Sequence, residues 1–190
     1  MTEAYDFRTQ MMKMYDLESY QYVVEMFDQL PLAATVNGDY LALHGGVSER
    51  LKSLAMINEI DRTIEPQEEC LMNDLLWADP IIGDAALEQR EIFNEARSTS
   101  VRFGKQVLEE LLEAEGLKAL IRAHEEEGEG YKFYMWDKKI NDPKCITIFS
   151  APNYCNHENR ASIFLASTSE KSKVLTYGES PYNMYYLRDR

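Results

Sequence analysis

Hydrophobic positions recur at helical spacing in three parts of the chain. The longest such pattern predicts an amphipathic helix from Leu17 to Leu30, ended by Pro31. A second, shorter helix is predicted over 48–60. A third is predicted over 104–115, where four leucine and valine positions alternate with glutamates and Gly116 is a stop signal. The first two thirds of the chain is therefore predicted to hold the helices.

Short apolar runs separated by turn signals predict the strands. Two of them, 32–36 and 40–43, flank Asn37-Gly38, and the tolerance of this pair for positive φ predicts a tight hairpin. Four more strands are predicted late in the chain: Tyr131–Trp136, Cys145–Phe149, Ala161–Ala166 and Lys173–Tyr177. The proline-interrupted segment 61–94 predicts mostly loop, around an apolar Leu75-Leu76-Trp77 that should be buried. The fold class predicted is α+β, with helices early and a sheet late.

Composition and charge narrow the class of protein. The 190 residues are 45% hydrophobic and 11% aromatic, which is enough for a core and too apolar for a disordered segment. A net charge of −13 and the lack of Lys/Arg runs argue against nucleic acid and anionic membranes as partners. The N-terminal residues 1–6 lack the basic and apolar regions of a signal peptide, so we expect none. No apolar run reaches the length of a membrane span, and the three cysteines follow no disulfide pattern. We therefore expect a soluble cytoplasmic protein, or a nuclear one.

Two of the three histidines follow predicted strands. His44 ends the hairpin and precedes Gly45-Gly46, which would let a ligand approach the backbone closely. His124 follows the short apolar run 117–121 and precedes the acidic residues 125–127. A neutral imidazole can bind a transition metal when a second group orients it. Considered one at a time, however, each histidine more often has a surface or structural role.

Two other side chains could contact phosphate oxygens. Arg97 offers planar, bidentate donors, although it is only one of 20 basic residues. Tyr154 follows the turn 150–153 and could donate its hydroxyl, although a tyrosine after a strand more often packs against its neighbours. Trp77 is interpreted as a core residue, and Asp79 as the cap of the turn that follows it.

Together these segments occur in the order and approximate spacing of a known family. They resemble the Ser/Thr phosphoprotein phosphatases through His44-Gly45-Gly46, Leu75–Pro80, Arg97–Ser100, Arg122–Glu125 and Ser150–Tyr154. The resemblance runs from residue 1 to about Ala166 and looks closest to the calcineurin catalytic subunit. It implies the C-terminal half of a metallophosphoesterase-type β-sandwich flanked by helices, as one partial catalytic domain over 1–190 without a second domain.

The resemblance implies roles for individual residues. His44 and His124 match the two histidines that bind the second ion of a dinuclear centre of iron, zinc or manganese. Arg97 matches an arginine that holds the substrate phosphate, and Tyr154 matches a tyrosine that lines the same site. In this family a metal-activated water hydrolyses phosphoserine and phosphothreonine in protein substrates. A regulatory subunit is a further partner of such enzymes, but its binding helix is not found in these residues.

The other metal motifs of the family are not found in these 190 residues. They are an Asp-x-His motif, a bridging aspartate and an Asn-His-Glu motif, which precede the matched region. Asn156-His157-Glu158 spells the third motif but follows Tyr154, so we interpret it as accidental. Residues 1–7 resemble the segment directly after the genuine motif. We therefore expect at most a partial second-metal site and no phosphatase activity from these residues alone.

Two functions from different classes follow from these observations. The first is a protein Ser/Thr phosphatase, represented here by part of its catalytic domain. The second is a non-catalytic pseudophosphatase or binding module, which keeps a phosphate- or partner-binding surface without hydrolysis.

Overall fold

A computed structural model describes residues 2–136 and 142–180. The chain divides into two compact units, the first made of Met1–Pro31 and Ile60–Glu65, the second of Leu32–Glu59 and Pro66–Arg190. The single partial phosphatase domain over 1–190 stays a prediction. None of the helices in the described ranges combines the length and hydrophobicity that crossing a membrane requires.

The described residues of the first unit form two helices. They are α1, Phe7–Met14, and α2, Leu17–Gln29. The ring of Phe7 packs against those of Tyr20 and Phe27, at centroid distances of 6.2 and 5.7 Å. Helix α2 confirms the longest predicted helix, whereas α1 is absent from the prediction because its 8 residues are too few to show a clear hydrophobic period.

Side chains satisfy backbone groups at both ends of α2. The carboxylate of Asp16 accepts the N–H of Ser19 at 2.8 Å, which caps the first turn. At the other end, the Arg62 guanidinium donates to the carbonyls of Gln29 and Leu30, at 3.1 and 2.6 Å. These bonds pair carbonyls that the end of a helix leaves without partners.

The largest sheet belongs to the second unit and has five strands in the order β1-β2-β6-β8-β7. They are β1 (Ala33–Val36), β2 (Tyr40–Leu43), β6 (Ala119–Arg122), β8 (Cys145–Ile148) and β7 (Tyr131–Phe133). Strands β2, β6 and β8 are parallel, and the outer strands are antiparallel to their neighbours. The predicted hairpin is confirmed: Asn37 and Gly38 both have positive φ, at 56° and 68°.

The other strands of residues 2–136 and 142–180 form two smaller sheets. One has the order β3-β5-β4, and the other is the antiparallel pair β9-β10. Their bounds are β3 (Asp79–Pro80), β4 (Glu91–Phe93), β5 (Val101–Phe103), β9 (Ala161–Leu165) and β10 (Lys173–Tyr177). Strands β9 and β10 confirm two predicted strands. The prediction that the sheet is formed late in the chain is wrong, however. Early β1 and β2 share a sheet with β6, β7 and β8, because parallel pairing joins segments that are far apart in sequence.

The second unit has three α-helices in its described part. They are α3 (Leu71–Trp77), α4 (Ala85–Glu88) and α5 (Lys105–Glu115). Helix α5 confirms the third predicted helix, and Gly116 ends it in the left-handed conformation with φ 68°. The segment 61–94 is mostly loop, as predicted, but only narrowly, since α3, β3, α4 and β4 together cover nearly half of it.

The prediction of a helix over 48–60 is wrong. Only a 3-10 helix, Leu54–Glu59, forms there. The backbone N–H of Glu49 donates to the Glu91 carboxylate at 2.7 Å, and that of Leu54 donates to the Glu115 carboxylate at 2.8 Å. Because side chains distant in sequence accept these N–H groups, the backbone does not need helical bonds there.

The core of the second unit lies among the main sheet, α3 and α5. Its most buried large side chains are Leu41, Leu75, Phe103, Leu108 and Leu120. Of the apolar run that follows Asn73-Asp74, only Leu75 is fully buried, whereas Leu76 and Trp77 are half-buried. The core therefore fixes β2 and β6 next to each other, with their carboxyl ends at one edge.

Among the glycines, Gly104 leaves the least room for a side chain. Its N–H donates to the carbonyl of Arg90 at 2.7 Å, and an added Cβ would overlap the carbonyl oxygen of Gln89. We expect Gly104→Ala to lower the free energy of unfolding by about 1–3 kcal/mol, because the neighbouring backbone would have to move. Urea denaturation measures this change.

Gly128 offers the matched control. An added Cβ there would meet nothing within 4 Å. Gly128→Ala should therefore change the free energy of unfolding by less than about 0.5 kcal/mol. Equal losses in the two variants would contradict the steric explanation.

Candidate metal and phosphate site

The structure brings His44 and His124 side by side. They follow β2 and β6, and these parallel neighbours pair Ala42 with Ile121, so both chains leave the sheet at the same edge. The Nε2 atom of His44 lies 3.1 Å from the Nδ1 atom of His124. The two rings meet edge to face, with centroids 4.9 Å apart.

This geometry can be tested against a bound metal ion. Two nitrogens that share a tetrahedral ion at about 2.0–2.1 Å lie about 3.3 Å from each other. The separation of 3.1 Å between the imidazole nitrogens fits two ligands of one ion. Within residues 2–136 and 142–180, however, no group of three or more His, Cys, Asp or Glu could hold a metal. The described residues therefore fit part of the ligand set of one ion, and they do not form a dinuclear centre.

The surroundings of His124 keep it neutral. Its side chain is 7% exposed, and its ring meets the ring of Trp77 edge to face at 5.2 Å. Burial, together with the nearby charge of Arg97, lowers the pKa of His124 to about 4. Partial burial and the charges of Arg122 and Arg97 also lower the pKa of His44. Both imidazoles are therefore in the form that can donate a lone pair to a metal.

Arg97 approaches the histidines from the loop between β4 and β5. Its Nε donates to the Oδ2 atom of Asp79 at 3.0 Å, and its Nη2 donates to the carbonyl of His124 at 3.5 Å. The side chain of Arg97 is 29% exposed. Part of its guanidinium is therefore available to an anion beside the two histidines.

Helix α3 holds the far end of the Arg97 loop. The Asn73 amide donates to the Thr99 hydroxyl at 2.9 Å, and the Ser100 hydroxyl donates to the Asp74 carboxylate at 2.8 Å. The N–H of Asn94 donates to the carbonyl of Ser100 at 3.1 Å and closes the loop at its base. These bonds fix the backbone on both sides of Arg97.

Asp79 is a site residue that the sequence analysis missed. The sequence predicts only a turn cap, but the side chain is 6% exposed and accepts hydrogen bonds on both oxygens. Its Oδ1 accepts from Arg122 at 2.9 Å, while its Oδ2 accepts from Arg97 at 3.0 Å and from Asn94 at 2.9 Å. Burial alone would raise the pKa of Asp79, but the hydrogen bonds from Arg97 and Asn94 outweigh it and hold the pKa below its usual value. Asp79 lies in the segment Leu75–Pro80 that carries the family resemblance, but only its tertiary neighbours show its role.

Arg122 is a second residue whose role only the structure shows. Its side chain is 0% exposed. Besides Asp79, its guanidinium donates to the carbonyl of Gly45, to the Glu125 carboxylate and to the Thr147 hydroxyl. Arg122 therefore connects the chain after β2 with β3, β6 and β8.

The structure does not bring Tyr154 into contact with the histidines or with Arg97. Tyr154 lies in a short 3-10 turn after β8 and is 49% exposed. Its ring packs edge to face on Phe149 at 5.4 Å, and its N–H donates to the side chain of Asn159 at 2.7 Å. The role of Tyr154 in a phosphate site therefore stays a prediction.

The chain belongs to the calcineurin-like phosphoesterase family, whose model matches residues 4–127. The serine/threonine-protein phosphatase 2B catalytic subunit A1 of Saccharomyces cerevisiae is 36% identical over the whole chain. Human serine/threonine-protein phosphatase 5 is 37% identical over 85% of the chain. The chain spans only 36% and 30% of the length of these two relatives.

A solved structure shows the same fold. It is a protein serine/threonine phosphatase from Saccharomyces cerevisiae with similarity to human phosphatase PP5. The TM-score is 0.74 at 26% sequence identity, and the match covers 92% of this chain and 55% of that one. The predicted family and the metallophosphoesterase fold are therefore confirmed.

The neutral state of His124 leads to a prediction. An NMR titration should give its imidazole a pKa of about 4, because burial and the charge of Arg97 disfavour the cation. A midpoint at the usual value of 6.5 would contradict the described packing.

The lowered pKa of His124 also makes the free energy of unfolding depend on pH. The unfolded chain takes up this proton near pH 6.5 and the folded chain near pH 4, so folding loses stability as the pH falls through this window. Replacing His124 by Gln removes the titrating group. The loss of unfolding free energy between about pH 7 and about pH 4.5 should therefore be smaller in His124→Gln, by about 1–3 kcal/mol.

Proposed function

We propose that this chain forms the part of a protein Ser/Thr phosphatase that binds one metal ion and the substrate phosphate. The observation that carries the proposal is the 3.1 Å approach of His44 and His124 at the ends of two adjacent parallel strands. Arg97 reaches the same place and donates to the carbonyl of His124. The substrates proposed are phosphoserine and phosphothreonine in proteins, in line with the serine/threonine-protein phosphatases that the chain resembles.

Each residue has a proposed task. His44 and His124 bind an iron, zinc or manganese ion through Nε2 and Nδ1. Arg97 binds the phosphate oxygens with the donors that Asp79 and His124 leave free. An ion bound there would polarise the phosphate and lower the pKa of a water ligand. Tyr154 is proposed to line the same site, and a cytoplasmic or nuclear location stays a prediction.

These residues are proposed to be inactive by themselves. Two imidazoles hold one divalent ion weakly, and in the described ranges no carboxylate completes a set of three ligands. The remaining ligands of a dinuclear centre would come from other protein groups. We therefore expect binding of phosphate and of one ion without turnover.

The incomplete set of metal ligands beside Arg97 favours a second candidate function. A domain with an ordered phosphate-binding arginine and an incomplete metal site could bind a phosphorylated partner without hydrolysing it. This pseudophosphatase or binding module needs Arg97 in place and does not need the missing ligands. A regulatory subunit is a partner that either function would allow.

Metal binding tests the role of the two histidines. Residues 1–190 should bind about one Zn²⁺ or Mn²⁺ in isothermal titration calorimetry. His44→Ala and His124→Ala should each weaken this binding at least about tenfold, because each removes one of two imidazole ligands.

His157 provides the matched control. This third histidine lies 2.8 Å from the Glu126 carboxylate and has a side chain that is 57% exposed. His157→Ala should leave the metal affinity unchanged within about twofold. Equal losses in the three variants would show that the ion binds elsewhere.

Hydrolysis of an aryl phosphate separates the two candidate functions. Residues 1–190 should show no metal-dependent turnover, and a fusion with a segment bearing the other family motifs should show it. Robust turnover by residues 1–190 would contradict the incomplete site. A folded but inert fusion would favour the binding module.

A further inference from the structure

We propose that Asp79 is the positioning residue of the phosphate site. It fixes the guanidinium of Arg97 so that one edge of this group faces the bound phosphate. This inference rests on the proposed function, in which Arg97 is the group that binds phosphate.

The carboxylate of Asp79 is itself held rigidly. Its Oδ1 accepts from the Nη2 of Arg122 at 2.9 Å, and this arginine is completely buried. Arg122 is fixed in turn by the carbonyl of Gly45 and the hydroxyl of Thr147. Asp79 is therefore connected through a single side chain to the ends of three parallel strands.

The second oxygen of Asp79 orients Arg97. An arginine side chain samples many rotamers when it is free, which lowers the fraction that can bind an anion. Here its Nε donates to Asp79, and one Nη2 proton points to the carbonyl of His124. These two bonds use one edge of the guanidinium, so the edge formed by Nη1 and the other Nη2 proton is left for a bidentate oxyanion.

The alternative explanation is that Asp79 serves only to neutralise Arg122. Two observations argue against it. Arg122 also donates to the carboxylate of Glu125, so Asp79 is not its only anionic partner. The Oδ2 atom of Asp79 also accepts from Asn94, at the base of the Arg97 loop, in addition to Arg97 itself. The carboxylate therefore fixes both the side chain of Arg97 and the loop that carries it.

The direction in which Asp79→Asn changes the phosphate affinity distinguishes a positioning role from a purely electrostatic one. A carboxylate beside a phosphate repels it, so removing only the charge should strengthen phosphate binding. Asp79→Asn keeps the shape of the side chain and removes the charge that holds Arg97. If Asp79 positions Arg97, this variant should bind inorganic phosphate about tenfold more weakly despite the lost repulsion. Calorimetric titration of residues 1–190 with inorganic phosphate measures the affinity.

Glu125→Gln is the matched control. It removes the other anionic partner of Arg122 and leaves the contacts of Arg97 unchanged. It should lower the stability of the protein in the same way as Asp79→Asn while keeping the phosphate affinity within about twofold. A loss of affinity that follows stability in both variants would overturn the positioning role.

A double-mutant cycle asks whether Asp79 acts through Arg97. Arg97→Ala alone should weaken phosphate binding. Adding Asp79→Asn to this variant should cause no further weakening, because the group that Asp79 orients is gone. If Arg97→Ala leaves the phosphate affinity unchanged, the proposed function fails at this residue. If Arg97→Ala weakens binding and Asp79→Asn does not, only the present inference fails.

A measurement without a ligand provides an independent test. The ¹⁵N relaxation of the Arg97 Nε–H group reports the order of this side chain. It should be ordered in the unmodified protein and in Glu125→Gln, and mobile in Asp79→Asn. Unchanged order in Asp79→Asn would overturn the inference whatever the phosphate affinity.

Discussion

The burial of Arg122 is the constraint on which the candidate site depends. A buried cation costs several kcal/mol unless it is paired and hydrogen-bonded. Here Asp79, Glu125, the carbonyl of Gly45 and the hydroxyl of Thr147 surround a side chain with no exposed surface. These partners belong to different strands or to the segments that follow them. Satisfying one charge therefore fixes the relative positions of the elements that carry the site.

The charges around Arg122 also contribute to the protonation state of the two histidines. Arg97 and Arg122 lie near both imidazoles, and Asp79 and Glu125 balance their charges. Burial is the main cause that lowers the pKa values of His44 and His124, and the charges of Arg97 and Arg122 add to it. Asp79 limits the repulsion between the two arginines. The groups proposed to bind phosphate and a metal ion therefore share a single cluster of charges.

Membership in the calcineurin-like phosphoesterase family and the geometry of the site agree where the chain has the relevant residues. His44, His124 and Arg97 come from three separate segments and meet at one edge of the main sheet. The described residues do not supply a complete metal site. Arg97 and the two histidines nevertheless form one structural unit, because Asp79 and Arg122 connect the segments that carry them.

Local patterns in the sequence were enough for α2, α5, the β1-β2 hairpin and strands such as β8–β10, since helical spacing, Asn37-Gly38 and short apolar runs depend only on neighbouring residues. The order of the motifs also indicated the family and named His44, His124 and Arg97. Only the tertiary structure decided that 48–60 is not an α-helix and that β1 and β2 join β6. Only it showed the ion pair of Asp79 with Arg122, 43 residues away. Burial and pairing across such distances depend on the packed core, and no local pattern records them.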